Sequence, residues 1–504
     1  MVKGFNEYRS GVGNMTTISQ PETADTLPEA QPMVLGLSRM RYGMLVVAVV
    51  AQAATILITW PLWQVREAPV HLPLVDLPQI PFGGWLLATL VLVLIRPRMG
   101  LAVHAASLLL AFGFDQYRTQ PQVIANAVLM LAAVENVGVV IVRWFLASLW
   151  LWAGTHKLLS PDWFSFGSWN MVSSLHVNPE DFQMLFAYGV SLGEVTVGLL
   201  AIFRPRWAAI PCALMHVGIV IFLSPLFYDH NESVMPWNLA TAVVGSWVMW
   251  NAPSIRPQLR WEWILAGLLL MYPAGFYVGW VDHGIASVLY SNHLPEGMIT
   301  TPNGAAKISG WGDLYVPFPN ERRLLVQYFE RSSQPGDKLH LSEPRPWLGD
   351  KYYVLGERGD LVEQTREQFV QGSDDEVYGM EVESRRMRFL LARAGAKMLR
   401  REEKGTIYAV EVPPRRYRPE LLGMLAGLPN LEQINLTGCE VTDDDLKWLP
   451  LLPKLVGIGL TDTPVTNQAI ETLLNQPQLQ FIEYEQSNIT LDAILEFERK
   501  RPLD

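Results

Sequence analysis

The chain has 504 residues, of which 50% are hydrophobic and only 17% charged, below the roughly 25% of charged residues usual in soluble proteins. Residues 1–280 hold 15 acidic and 14 basic side chains, while residues 281–504 hold 34 and 25 and carry nearly all of the net charge of −10. This split excludes a fully soluble protein, a disordered chain and a disulfide-rich scaffold, and the acidic second half argues against nucleic acid as a partner.

In chain order, residues 1–38 are polar, lack apolar periodicity and read as a disordered cytoplasmic tail. The first long apolar run, Tyr42 to Trp63, follows Arg39 and Arg41. Further runs lie near 82–95, 99–114, 121–138, 141–159, 182–203, 207–224, 236–250 and 261–280. The runs at 82–95 and 236–250 are short against the ~20 residues of a straight span. With nine crossings and the tail inside, the inner turns hold Arg39, Arg41, Arg96, Arg98, Arg143, Arg204, Arg206, Arg256 and Arg260. The outer turns hold only Arg66, Arg118 and Lys157, as retention of cations on the cytoplasmic side requires. Trp60, Trp63, Trp163, Trp169, Trp237, Trp250, Trp261, Trp263 and Trp280 sit near span ends, where an indole finds both apolar and polar surroundings. Residues 39–280 therefore read as a transmembrane domain, and everything after them as exported.

Residues 281–400 read as an α+β segment. A helix follows Pro319-Asn320-Glu321, Pro335-Gly336-Asp337 marks a turn, and strands cover Leu339, Leu341 and Tyr352 to Leu355. Residues 380–399, with Met387, Phe389, Leu390 and Leu391, read as a helix. Residues 401–504 hold an internal repeat. Leu431, Ile434, Leu436, Cys439 and Val441 match the leucine-rich-repeat pattern, and steps of 24 residues return Leu455, Ile458, Leu460, Thr463 and Val465, then Leu479, Ile482, Tyr484, Ser487 and Ile489. Ile407, Val410 and Val412 supply a capping turn. A short solenoid of this kind offers a protein-binding face. Cys439 fills an internal ladder position, and Cys212 lies in an apolar run, so no bridge joins them and no cysteine zinc site is expected.

Ionisable groups inside a bilayer cost several kcal/mol, of order ~2.5–3.5 on insertion scales, so each needs a reason. Glu135, beside Asn136, reads as an interfacial turn residue. Lys157 lies near the outer end of its span, where it reaches the headgroups, pairs with Asp162, or acts as a general base. In an apolar pocket an ammonium loses its hydration, and a neutral amine can take a proton from a weakly acidic substrate. Glu194 and His216 lie midway in consecutive antiparallel runs, so a Glu–His pair is expected, either as a clasp between helices or as a proton relay. The outer-turn residues Asp162, His176, Asp229, His230, Glu232 and His283 match no metal-site spacing.

Ala153-Gly154-Thr155-His156-Lys157-Leu158 with Asp162-Trp163, Gly193-Glu194, and Leu214-Met215-His216 after Leu199 to Arg204 resemble the motifs of the HTTM family, which includes the vitamin K-dependent gamma-glutamyl carboxylases. A DoxX-like bundle over 139–250 is a second resemblance. The carboxylase resemblance implies a nine-span α-helical bundle with Lys157 as the base, in a reaction that oxidises a reduced quinone. Glu194 and His216 would tune it, and His156 and Trp163 would border the cofactor. The expected protein is thus a multi-pass protein of a bacterial inner membrane, with cytoplasmic N-terminus, exported α+β segment and leucine-rich repeats. Its expected function is lysine-base chemistry on a quinol or lipid-like ligand. The alternatives are a redox accessory, or a noncatalytic anchor whose repeats bind a protein partner.

Overall fold

The computed structural model describes residues 33–34, 37–160, 162–175, 177–227, 231–252, 260–291, 293–302, 304–309, 314–345, 347–365, 368–369, 391, 396–400, 407–425, 428, 430–476 and 478–501. The tail at 1–32, His176, Asp229, His230, Arg256 and the Met387–Phe389–Leu390 stretch lie outside these residues.

The apolar runs form helices α1 (Arg39–Ile58), α2 (Gly83–Ile95), α3 (Pro97–Phe114), α4 (Pro121–Val134) and α5 (Asn136–Leu159). A short α6 (Ser168–Ser174) precedes α7 (Pro179–Phe203) and α8 (Pro205–Leu223). Next come α9 (Met235–Ala240), a π turn (Thr241–Gly245), α10 (Ser246–Asn251) and α11 (Arg260–Met271). Among the described residues, six helical stretches are long and apolar enough to cross a membrane: Arg39–Ile58, Pro97–Phe114, Asn136–Leu159, Asp181–Phe203, Pro205–Leu223 and Trp261–Val278. The other expected crossings are short, with 13 residues in α2 and 14 in α4, and the run at 236–250 is broken by the π turn.

Local sequence explains the abrupt reversals. Single residues, Arg96, Glu135 and Arg204, separate α2 from α3, α4 from α5 and α7 from α8. Pro97 and Pro205 open α3 and α8, where a missing N–H costs nothing and φ is already helical. At the α4–α5 reversal a Cβ on Gly138 would stand 1.9 Å from the Leu131 carbonyl oxygen, so only glycine permits so tight a return.

Two short strands, β1 (Met33–Val34) and β2 (Leu37–Ser38), pair antiparallel before α1. Beyond the helices come β3 (Glu296–Thr301), β4 (Gly304–Lys307), β5 (Lys338–Ser342), β6 (Lys351–Leu355) and β7 (Leu361–Gln364), which form an antiparallel sheet in the order β4-β3-β5-β6-β7. Helix α12 (Arg322–Ser332) packs on β3 and β5. Its Leu324, Leu325 and Phe329 join one continuous apolar core with the membrane helices. Polar contacts fix the seat: Gln327 Nε2 donates to the Pro73 carbonyl (2.8 Å), and Arg331 pairs with Asp76 (3.0 Å). Arg66, after α1, pairs with Asp115, just after α3, at 2.5 Å, and Tyr117 meets Phe318 edge-on.

The C-terminal region has a core of its own. Strands β9 (Ile407–Glu411), β10 (Gln433–Asn435), β11 (Gly457–Gly459) and β12 (Phe481–Glu483) run parallel. Val410, Ile434, Ile458 and Ile482 face one another in register, a constant step of 24 residues. Left-handed backbone recurs at the same step, at Gly438, Asp462 and Gln486. So does a side-chain rung: Asp443 accepts from the Thr466 N–H, and Asn467 accepts from the Thr490 N–H. Cys439 is buried, its thiol donating to the Val412 carbonyl. The expected helix at 380–399 is corrected at its end, where Lys397–Arg400 forms strand β8 antiparallel to β9. Pairing with the open edge of the sheet outweighs a local helical pattern.

Candidate functional site

Helices α5 and α7 pack through small residues. A Cβ on Gly154 would meet the Ser191 carbonyl oxygen at 2.4 Å, and one on Gly198 would meet the Leu151 nitrogen at 2.6 Å. Such close backbone approach is how membrane helices gain packing when lipid supplies no hydrophobic drive. It brings Lys157, one turn beyond Gly154, against Glu194, one turn beyond Ser191. Helical side chains lean toward their own N-terminus, so in this antiparallel pair Lys157 and Glu194 lean in opposite directions along the helices, and they meet.

The contact is bidentate. Lys157 Nζ donates to Glu194 Oε1 at 2.9 Å and Oε2 at 2.8 Å. The side chains are 3% and 12% exposed, so the pair is shielded from solvent. The ammonium also lies 5.6 Å from the centre of the Trp163 ring, within cation–π range. Trp163 is fully buried and held by its own N–H donating to the Ala187 carbonyl. Lys157 therefore neither pairs with Asp162 nor reaches the headgroups.

Beside this pair is a cavity of about 580 Å³, walled by α5, α7, α8 and α9 and lined almost wholly by apolar atoms. Lys157, Trp163, Glu194, His216, Trp150 and Asn238 all border it. Gly189, Gly193 and Gly218 border it too, and a Cβ at any of them would meet nothing within 4 Å. These exposed glycines leave a lateral slot between α7 and α8. Their spacing of four on α7 was visible in Gly189-Val190-Ser191-Leu192-Gly193, but a small residue in a sequence does not reveal whether a neighbour fills the space. Leu289 and Tyr290, which follow the last apolar helix, complete the wall; no local sequence signal ties them to the site.

His216 sits elsewhere than expected. It does not pair with Glu194, which turns to Lys157 on α5 while both ring nitrogens of His216 find other partners. The Trp150 indole, which can only donate, gives its N–H to His216 Nε2 at 2.9 Å. The ring proton therefore lies on Nδ1 and goes to Asn238 Oδ1 at 2.7 Å. Asn238 is held in turn by donating to the Val234 carbonyl. Both ring nitrogens are thus engaged, and His216 is a neutral strut between α5, α8 and α9. His156 does not line the cavity. Its Nε2 lies 3.0 Å from the Ala286 carbonyl, so it donates there, and Nδ1 accepts from the Tyr277 hydroxyl at 2.9 Å. Successive residues on a helix point about 100° apart, which sends His156 toward Tyr277 while Lys157 faces α7. Glu135 sits between α4 and α5 and pairs with Arg98 at the surface, as an interfacial turn residue would.

Residues 135–233 match the family described as methylamine utilisation protein MauE. That stretch carries Lys157, Glu194 and His216. No curated protein and no solved structure matches the chain. The match corrects the resemblance drawn from the lysine motif: the family found over these residues is neither HTTM nor carboxylase, and nothing supports a DoxX-like assignment. A short apolar motif with one lysine does not separate one helical bundle from another, because tight helix packing favours small residues such as Ala-Gly in any of them. Together the match and the six apolar helices make the chain a multi-pass integral membrane protein.

Proposed function

We propose that the cavity holds an apolar molecule with a polar head, of quinol or lipid type, and that the Lys157–Glu194 pair handles a proton at that head. The observation that carries this reading is the bidentate ion pair bordering an apolar cavity that opens between α7 and α8. A buried pair pays heavily in lost hydration and is weak evidence for stability alone. Beside a cavity it offers a charge-assisted donor and acceptor to whatever enters. In the ion-paired form the acceptor for a head-group proton is the Glu194 carboxylate. Lys157 acts as a base only after passing its own proton to Glu194. Trp163 holds the ammonium in place, and His216, with no free nitrogen, positions α8 and α9 around the guest.

In the same reading the chain crosses a bacterial inner membrane nine times, α2, α4 and the α9–α10 stretch included, with the N-terminus cytoplasmic. Residues 281–504 are exported, and residues 401–504 form a short leucine-rich-repeat solenoid. The arginine bias across the turns supports the orientation, and the 24-residue ladder supports the repeat. The strand face carrying Gln433, Asn435, Phe481 and Glu483 then meets an exported protein partner.

Mass spectrometry of small molecules released from the purified full chain tests the cavity. The wild type carries a stoichiometric lipid or quinone, and Gly193→Leu, which puts a side chain into the slot, lowers it several-fold. A wild-type protein free of any apolar guest would sink this reading and leave a membrane anchor that presents the repeats.

A further inference from the structure

The parallel ladder of the C-terminal region ends differently on its two sides. In the sheet order β12-β11-β10-β9-β8, the antiparallel strand β8 lies along β9 and closes one edge, while β12 forms the other. Among the described residues no strand pairs with the far side of β12. The helix that follows it, Leu491–Lys500, packs on the helix Ala469–Leu474 of the preceding turn. Thr490 caps its N-terminus, the side chain accepting from the Ala493 N–H, and Ile494 and Phe497 are buried in the C-terminal core.

The outer face of this helix is not polar. Leu491 and Leu495 are 61% and 44% exposed. With Ile482 of β12 and Tyr484 they line a cleft of about 340 Å³. A stack of repeated turns normally closes with a polar outer face, because the side that would carry the next turn is otherwise apolar and wet. Two charges flank the leucines. Successive helical residues turn by ~100°, so Asp492 and Arg499, seven positions apart, fall within ~20° of each other along one margin of the leucine stripe. Leu495 stands midway between them along the helix, and Asp492, Leu495, Glu498 and Arg499 line one shallow groove. Arg499 Nε donates to the Leu495 carbonyl at 3.2 Å, which lays its side chain along the stripe. Glu496 and Lys500 pair with each other at 2.7 Å, whereas Asp492 and Arg499 form no ion pair among the described residues.

Opposite charges on either side of an apolar residue make a surface complementary to itself. A two-fold axis crossing the helix at Leu495 sets Asp492 of one copy against Arg499 of the other, Arg499 against Asp492, and leucine against leucine. We infer that two copies of this chain join through the helix Leu491–Lys500, packed antiparallel about a two-fold axis at Leu495. The contact is small, and confinement of both copies to one membrane raises the effective concentration that makes it sufficient.

The test uses the full chain in phosphatidylcholine vesicles and the rate of disulfide formation under mild oxidation. Leu495→Cys puts a thiol on the axis, where it meets its own copy; Cys212 and Cys439 are buried and do not compete. Lys447→Cys, at an exposed side chain of an earlier turn, measures random collision. Leu495→Cys links into dimers at least about tenfold faster than Lys447→Cys. Adding Asp492→Arg sets two cations against each other on both sides of the axis and slows linking about tenfold, and adding Arg499→Asp does the same with two carboxylates. Mixing these two double variants restores fast linking between them, since each arginine then faces an aspartate. All these positions are exposed, so folding is preserved. The inference is overturned if Leu495→Cys links no faster than Lys447→Cys, if Asp492→Arg leaves its rate within about twofold, or if the mixture stays as slow as its components.

Discussion

Two clusters of buried polar side chains interrupt the apolar helices, and they are built differently. In the first, α1, α2 and α3 meet around His104. Its Nδ1 donates to the Thr89 hydroxyl at 2.7 Å, and that hydroxyl donates to the Leu86 carbonyl at 2.7 Å. Gln52 donates to His104 Nε2 at 3.2 Å. None of these three residues borders the cavity beside Lys157, and packing closes over them. In the second, around Lys157, Glu194 and His216, the polar groups are also hydrogen-bonded but stand on the wall of a void. A histidine or a lysine inside a bilayer is thus no guide to function in itself. The empty volume beside it distinguishes a clasp from a site.

Breaking the ion pair should produce the largest effect. Lys157→Met leaves the Glu194 carboxylate buried and unpaired, at a cost of ~3–5 kcal/mol, whereas Lys157→Met with Glu194→Met recovers most of it. Thermal unfolding of the detergent-solubilised protein measures both. If the double variant is no more stable than the single one, the two charges are not coupled as their geometry demands.

Glycines sharpen the contrast between closed and open packing. Gly154→Ala forces a methyl into the Ser191 carbonyl and should cost ~1–3 kcal/mol. Gly193→Ala, with open space above it, should change stability by less than ~0.5 kcal/mol. Similar losses at both positions would mean that the slot between α7 and α8 is filled.

At neutral pH the smallest effect belongs to the C-terminal core. Burial pushes the Cys439 thiol from its ordinary value near 9 up to about 11. The folded chain then keeps a proton that the unfolded chain releases, so stability falls as pH rises from about 9 to about 11. Cys439→Ala removes that part of the decline. Maleimide labelling of Cys439 in the native protein should stay slow at pH 7–9; rapid labelling there would contradict a buried, protonated thiol.

Much of this architecture was legible in the residues. Apolar runs place helices because burying or embedding twenty apolar side chains outweighs other local preferences. The helix after Pro319, the turn at Gly336 and strands β5 and β6 follow from punctuation and alternation that act over a few residues. The pairing of the polar groups was not legible. Equal depth of Glu194 and His216 suggested one partnership, but helix rotation and the Gly154 contact decided another. His104 gave no warning, since an isolated histidine in an apolar run looks the same whether neighbours satisfy it or not.

By itself the sequence determined the alternation of membrane helix and turn, the 24-residue step that reappears as a parallel ladder, and which ionisable residues had to be accounted for. Those properties rest on the period and polarity of neighbouring residues. Tertiary structure alone decided that Lys157 holds Glu194, that His216 and His156 are spent on separate struts, and that a cavity stands beside the ion pair. Such outcomes depend on the distance and rotation between elements far apart in the chain, and on space left unfilled, which no local pattern of residues encodes.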